Sequence, residues 1–283
     1  MYQAGLVLEG GAMKGIYTAG VLDFFLDKEM EFSSCYGVSA GACNLCSFLS
    51  KQRKRAYRVS VNYLDNKRYC GSYSLLTTGD LFGADMCYDL IPNYLDPYDY
   101  ETFDRYEGNA YAAVTNIVTG KAEYLQMKEM HEDILAVRAS SSMPLVSRNV
   151  RIGDGVYLDG GISDSVPYKH AMEEGCDKNI VILTRERGYV KKQERAGGIS
   201  MKLYKKYPNI VEDLRTRPER YNVCMKELSE REEAGEVFVI APETTYGIGR
   251  TESNPDKLTK LYEEGYRQAK SQMADLKRYL GRE

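Results

Sequence analysis

Hydrophobic and polar positions come in blocks along this chain, and the blocks change period in a regular order. Residues 4–8 (AGLVL) are a short apolar run, which predicts a buried strand. The loop EGGAMKG follows, and residues 16–26 then bring Ile16, Ala19, Gly20 and Phe24 round at helical spacing. Residues 34–38 predict a second short strand running into Ser39, and residues 40–49 a second helix. Strand, glycine loop, helix, strand, serine turn and helix in succession argue for a parallel sheet with helices on its faces.

The middle of the chain is less periodic. Residues 51–104 hold a basic cluster (Lys51, Arg53, Lys54, Arg55, Arg58) and many tyrosines, and predict loops and short helices. Residues 109–117 and 121–127 predict two strands about a turn at Thr119-Gly120. A helix over 132–140 ends before Pro144, a turn at Gly153-Asp154-Gly155 lies between short apolar pieces of 150–158, and a helix covers 168–174. NIVILT at 179–184 predicts a buried strand, residues 185–193 a polar surface loop, and helical segments follow as far as Ala234. EVFVIA at 236–241 predicts the last strand. Over 254–280, Leu258, Leu261, Gly265, Ala269, Met273, Leu276 and Leu280 share one side of a single long amphipathic helix. No Pro/Gly/Ser-rich linker or internal repeat divides the chain. The expectation is one domain over 1–283, with its motifs in about 4–185 and residues 186–283 an extension of it.

Composition then narrows the class. With 283 residues, 43% apolar and 28% charged, the chain is long enough and apolar enough for a well-buried core. A net charge of −3 gives no reason to expect nucleic acid as a partner. No apolar run approaches the ~18 residues that span a bilayer, and the opening MYQAGLVLEGG lacks the basic and apolar regions of a signal peptide. Seven cysteines fit a reducing compartment, so a cytoplasmic location with at most peripheral membrane contact is expected. Cys43 and Cys46 form one C-x-x-C, with no second pair and only His131 and His170 in the whole chain. Small buried helix residues are a better account of that pair than a metal or redox site.

Three stretches carry candidate chemistry. In YGVSAG, Ser39 stands between Gly37 and Gly41 at a strand-to-helix junction, the form of a nucleophile elbow; a plain glycine-rich turn is the alternative. A sharp elbow needs small neighbours two residues either side, and the following helix would aim its N-terminal amides at the serine oxygen. In EGGAMKG, glycines let the backbone approach a developing oxyanion, although a loop of this kind also suits a phosphate. It lacks both the G-K-[ST] ending of a nucleotide P-loop and the G-x-G-x-x-G of a dinucleotide site. A serine hydroxyl needs a base. His131 and His170 lie in helical segments, whereas Asp159, in VYLDGGISDSVP, ends a strand and precedes Gly160 and Gly161, on a displayed loop. An ordinary β-turn aspartate is the alternative there.

The trio LEGGAMKG, GVSAG and LDGG, in that order, resembles the patatin-like phospholipase family, and RASSSMPLV at 138–146 is similar to that family's A-S-x-x-x-P stretch. The resemblance covers about residues 4–167. It implies a three-layer α/β/α fold with a mainly parallel central sheet. It implies a serine lipid acyl hydrolase, a phospholipase A or lysophospholipase-like esterase, with Ser39 as nucleophile and Asp159 as partner in a dyad without histidine. Gly10, Gly11 and Ala12 would give the oxyanion hole its backbone donors, in a loop that runs on through Met13, Lys14 and Gly15. Ala12 departs from the usual glycine, which is harmless only where the backbone does not need a positive φ. Lys14 stands where arginine is commoner, keeping the charge and losing the bidentate fork. The resemblance implies no metal and no cofactor, and a lipid or phospholipid ester as substrate. Residues 63–106 are a candidate wall for the acyl chain, with ordinary packing the alternative for most of their tyrosines. The 51–58 basic cluster could meet anionic headgroups or simply be a solvated face. Two rivals remain: a Ser-His-Asp α/β-hydrolase, which needs a late histidine, and a lipid-binding protein without catalysis.

Overall fold

The computed structural model describes residues 1–193 and 197–281; the helical expectation over 194–196 and the last two residues of the chain lie outside them. Eight strands form one sheet among the described residues: β1 (Tyr2–Leu8), β2 (Phe32–Val38), β3 (Asn109–Asn116), β4 (Ala122–Gln126), β5 (Val150–Ile152), β6 (Gly155–Asp159), β7 (Asn179–Ile182) and β8 (Val237–Ile240). Pairing runs β5-β6-β3-β2-β1-β7-β8, with β4 on β3. From β3 through β8 every neighbouring pair is parallel; β4, β5 and β6 add an antiparallel end.

Period-two alternation assigns the two faces. On β1, Leu6 and Leu8 join one core cluster and Val7 the other. On β7 and the residue that follows it, Ile180 and Ile182 divide from Val181 and Leu183 in the same way. The first face is covered by α1 (Ile16–Asp27), α2 (Ala40–Leu49) and α10 (Pro255–Ser271), and the second by α7 (Tyr168–Glu173) and α9 (Pro208–Glu233). This is the three-layer arrangement expected from the sequence, with helices on both sides of a mixed sheet whose centre is parallel.

The 51–104 region forms α3 (Arg55–Val61), α4 (Ser72–Thr78), a π-helical stretch Met86–Leu95 and α5 (Tyr100–Asp104). These match the short helices expected. Its basic cluster is largely used within the chain. Lys51 pairs with Glu31, Arg53 with Asp27, and Arg55 and Arg58 both with Asp96. Elsewhere, α6 (Met130–Ser140) precedes β5, and α8 (Gly197–Leu203) precedes α9.

The long C-terminal helix differs from expectation. It is α10 followed by α11 (Met273–Tyr279), divided at Gln272, where ψ is 2°. No glycine or proline marks the break. The bonds Gln272 N to Gln268 O (3.0 Å) and Leu276 N to Gln272 O (2.9 Å) carry the chain across it. α10 crosses α1 at a glycine pair. A Cβ on Gly265 would stand 2.1 Å from Tyr17 O, and one on Gly20 2.0 Å from Tyr262 O. The backbones therefore touch where both expected apolar faces have no side chain. Tyr262 OH donates to Asp23 Oδ2 at 2.6 Å beside that crossing.

Candidate active site

β3 sets the geometry of the site. β2 pairs with residues 109–113 of β3 and ends at Val38 opposite Ala113. β6 runs the other way and pairs with residues 114–116, ending at Asp159 opposite Val114. β4 occupies the other edge of β3. β2 and β6 thus meet end to end on one edge, and the residues leaving them there are Ser39 and Asp159. Both residues line the same cavity.

Ser39 has φ 55° and ψ −121°, a strained conformation that ordinary residues adopt rarely. Its carbonyl accepts the first bond of α2, from Cys43 N at 3.2 Å, so the serine oxygen stands at a helix N-terminus. The elbow is tightly enclosed: a Cβ on Gly37 would lie 2.5 Å from Ala42 Cα, and one on Gly41 2.4 Å from Leu8 O. Ser140, fully buried at the end of α6, holds the turn. Its hydroxyl accepts from Ser39 N (2.8 Å) and donates to Ala113 O (2.6 Å). The stretch RASSSMPLV marked this region in the sequence, but nothing there singled out Ser140.

The Asp159 end is equally constrained. Its amide donates to Ser142 O (2.8 Å), its carbonyl accepts from Thr115 Oγ1 (2.8 Å), and Oδ1 accepts from Gly161 N (2.8 Å). Burial pushes the carboxyl above the usual carboxylate range, against the lowering effects of Arg217, the Ser39 hydroxyl, the Gly161 amide and Lys191. Asp159 is therefore a stronger base than an exposed aspartate.

The glycine loop closes over the serine. A Cβ on Gly10 would sit 2.9 Å from Ser39 Cβ and 3.0 Å from Val38 O. Ala12 has φ 50°, so the sequence condition on this residue is not met. An L side chain occupies the left-handed region, at a cost of about 1–2 kcal/mol. Lys14 N donates to Gly11 O (3.1 Å), whereas among the described residues the Gly10, Gly11 and Ala12 amides donate to no backbone carbonyl. Gly15 O accepts from Asn44 Nδ2 (2.7 Å), which ties the loop to α2. Lys14 is buried, and burial followed by the charges of Arg185 and Arg250 pushes it down to about 8. Glu9 anchors the loop from below. Oε2 accepts from Thr184 N (2.7 Å) and Thr184 Oγ1 (3.1 Å), and Oε1 from Tyr221 OH (2.8 Å).

Two chambers flank Ser39. One, of about 180 Å³, is mostly apolar and reaches Ile16, Val59, Tyr69, Phe82, Tyr88 and Val146. Three aromatics of the 63–106 stretch, Tyr69, Phe82 and Tyr88, thus line it, while others pack elsewhere, such as Tyr98 against Tyr100 and Phe103. Cys43 also lines this chamber and is exposed to it, unlike Cys46, so the expectation of two buried helix cysteines holds only for Cys46. The second chamber is polar and is lined by Lys14, Arg185, Lys191, Arg217 and Arg250 along with Ser39 and Asp159. Neither histidine lines either chamber: His131 stacks on Tyr100 and His170 on Tyr124, with ring centroids 3.6 Å apart in each pair.

Fold and site define a three-layer α/β protein with a strained serine elbow set against a buried carboxylate. The family model described as patatin-like phospholipase matches residues 6–172, and the chain belongs to that family. A second model, described as a domain of unknown function (DUF6363), matches residues 207–281. The chain is similar to an uncharacterized protein, YjjU, of Escherichia coli K12, at 32% identity over 63% of this chain and 51% of that protein. It is also similar to a probable lipid hydrolase, 463L, of Invertebrate iridescent virus 6, at 24% identity over 63% of this chain and 66% of that one. The matched stretch thus spans about half to two thirds of these relatives. Among solved structures, VipD from Legionella pneumophila matches with a TM-score of 0.49 and 14% identity, over 97% of this chain and 67% of that one.

Proposed function

We propose that this protein is a lipid acyl hydrolase working through a Ser39–Asp159 dyad. The observation that carries the reading is the junction on β3, where a strained serine and a buried carboxylate leave the ends of β2 and β6 on one edge, with Gly10 of the glycine loop packed against Ser39. Ser39 Oγ attacks the ester carbonyl carbon as Asp159 takes its proton. The oxyanion that forms is held by amides of Gly10, Gly11 and Ala12, an interaction worth roughly 3–4 kcal/mol per donor in comparable sites. Breakdown releases the alcohol, which takes the proton from Asp159, and leaves an acyl-serine. Water, deprotonated by Asp159, then attacks the acyl carbon; the bond to Ser39 Oγ breaks, Oγ takes the proton back from Asp159, and the carboxylic acid leaves.

The apolar chamber beside Ser39 suits an acyl chain, and membership in a phospholipase family supports a lipid ester. Among the described residues no helix is long and apolar enough to cross a membrane; contact with lipid in this reading is peripheral. The two matched segments act as one unit in this proposal, because α10 of the second packs on α1 of the first through Gly20 and Gly265.

The test is turnover of p-nitrophenyl esters of increasing chain length. Ser39→Ala and Asp159→Asn are expected to be inactive while folded, the His131/His170 double alanine active, and long chains preferred. Loss of activity in the folded histidine variant would replace the dyad with a histidine-based mechanism.

A further inference from the structure

Helix α8 lies in the stretch between the two matched segments and belongs to neither. Its inner side is accounted for. Met201, and Tyr204 in the turn that follows, pack with Ile117, Leu158, Ile162 and Ile210 in one cluster. Its outer side is different. Ile199 and Leu203, four residues apart and so on one face of the helix, are 62% and 60% exposed. Lys202, Lys205 and Lys206 are exposed beside and after them. Residues 197–211 hold these three lysines and no acidic residue or arginine, in a chain of net charge −3. The acids that follow on α9 are taken, Glu212 by Arg215 and Asp213 by Arg220. Among the described residues the lysines in ion pairs are Lys51, Lys169, Lys226 and Lys257, none of them on this face. The turn between β3 and β4 extends the surface. Asn209 Nδ2 donates to Val118 O at 2.9 Å, which holds that turn against the start of α9. Val118 is 60% exposed and adjoins the clustered Ile117, as Leu203 adjoins the clustered Tyr204.

We propose that the outer face of α8, with the Val118 turn beside it, seats the protein on the surface of an anionic lipid bilayer. The proposal deepens the hydrolase reading and rests on it for the purpose of the contact. Ile199, Leu203 and Val118 enter the boundary of headgroups and acyl chains, and the lysines meet the anionic surface while their stems lie along it. A face exposed only to water has no use for Ile199 and Leu203 side by side. A second copy of this chain docked face to face would set three lysines against the same three, and like charges oppose that contact. The position serves the site. The cluster that holds α8 includes Leu158 and Ile162, one on each side of Asp159 in the chain, so the contact brings the Asp159 end of the sheet to the bilayer. α8 also stands between Lys191 and Arg217 in the chain, and both of these line the polar chamber.

The experiment measures co-sedimentation with vesicles of phosphatidylcholine alone and of phosphatidylcholine with phosphatidylglycerol, using Ser39→Ala protein so that no lipid is consumed. Three further changes are compared in it: Lys202→Gln with Lys205→Gln, Ile199→Ser with Leu203→Ser, and Leu76→Ser, a control at an exposed apolar residue of α4. Turnover of p-nitrophenyl butyrate, a soluble ester, is followed for the same changes with Ser39 intact. A lysine near an anionic surface is worth about fivefold in partition, so the lysine pair should weaken binding to the anionic vesicles at least ~10-fold, and high salt should do the same. The apolar pair should weaken it comparably, Leu76→Ser should not, and turnover of the soluble ester should be unchanged throughout. Equal binding by wild type and the α8 variants, equal weakening by Leu76→Ser, or a neutral apolar pair overturns the proposal and leaves the hydrolase reading standing. Binding to soluble polyglutamate and to no vesicle assigns the face to an acidic protein and overturns it as well. Vesicle binding lost in the α8 variants, with no ester cleaved and no phosphonate labelling of Ser39, keeps the docking face and sinks the hydrolase reading.

Discussion

Ser140 should be worth far more than its size. Its hydroxyl is the partner of two buried backbone groups at once, Ser39 N at 2.8 Å and Ala113 O at 2.6 Å, and Ser140 itself is fully buried. Ser140→Ala removes one oxygen and leaves both groups without it. A buried N–H left unpaired costs roughly 1–3 kcal/mol, and a carbonyl with a second lone pair costs less. The sum is about 2–3 kcal/mol of folding stability. The function should suffer as well, because Ser39 sits at φ 55°, where the backbone carries on the order of 1–3 kcal/mol of strain. Without its tether the amide relaxes, and in the proposed dyad the serine oxygen loses its alignment with the Asp159 carboxylate. Urea unfolding should show a lower midpoint at unchanged slope, and turnover should fall at least ~10-fold. Ser142→Ala is the control, since among the described residues its hydroxyl serves only the Arg138 carbonyl, at 2.8 Å. If Ser140→Ala unfolds within ~0.5 kcal/mol of wild type, the range of ordinary surface changes, and reacts with a serine-directed phosphonate at the wild-type rate, the tether argument is wrong.

Other outcomes follow from the same packing. Gly265→Ala places a Cβ 2.1 Å from Tyr17 O and should part α10 from α1, costing at least ~1–3 kcal/mol in thermal or urea unfolding. Gly10→Ala drives a Cβ to 2.9 Å from Ser39 Cβ and should cut kcat by ~10²–10³ through the displaced oxyanion amides, with KM little changed. In the proposed dyad Asp159 acts only when ionised, and its pKa is raised, so kcat/KM should climb through an acidic limb lying above the ~3.9 of an exposed aspartate. Lys14, held down to about 8, should add an alkaline limb near that pH as its charge is lost, and Lys14→Arg should carry that limb to higher pH.

What could be foreseen from the sequence follows a physical division. Ser39, Gly37, Gly41 and Asp159 were legible because a sharp elbow and a strand-end turn impose residue types on neighbouring positions. The strands at 4–8 and 179–184 were legible because burial on both faces leaves an unbroken apolar run. Ser140 was not, since a serine at a helix end has many common uses and its two partners are 101 and 27 residues away in the chain. Arg217 and Arg250 look like ordinary surface charges in the sequence, and only the folding of α9 and the 241–254 segment onto the glycine loop reveals them. Ala12 misled in the other direction. Its backbone conformation is the one a glycine would have signalled, and the loop keeps it with alanine. The bend at Gln272 has no residue-type signal at all, and nothing in the side chains around it explains it.

The end-to-end meeting of β2 and β6 on β3 has a bearing on how the protein assembles itself. Ser39 and Asp159 are far apart in sequence, and they come together only when β3 has paired with both strands in register. A slip of one residue on either side would carry its partner about 3.3 Å along the edge and turn its side chain to the opposite face. Such non-local closure is among the slower events in folding, because loop entropy is lost before the contacts form. If Ser39 is the nucleophile proposed above, its reactivity during refolding should therefore return after helix content has recovered, so it serves as a clock for the moment the sheet locks into register.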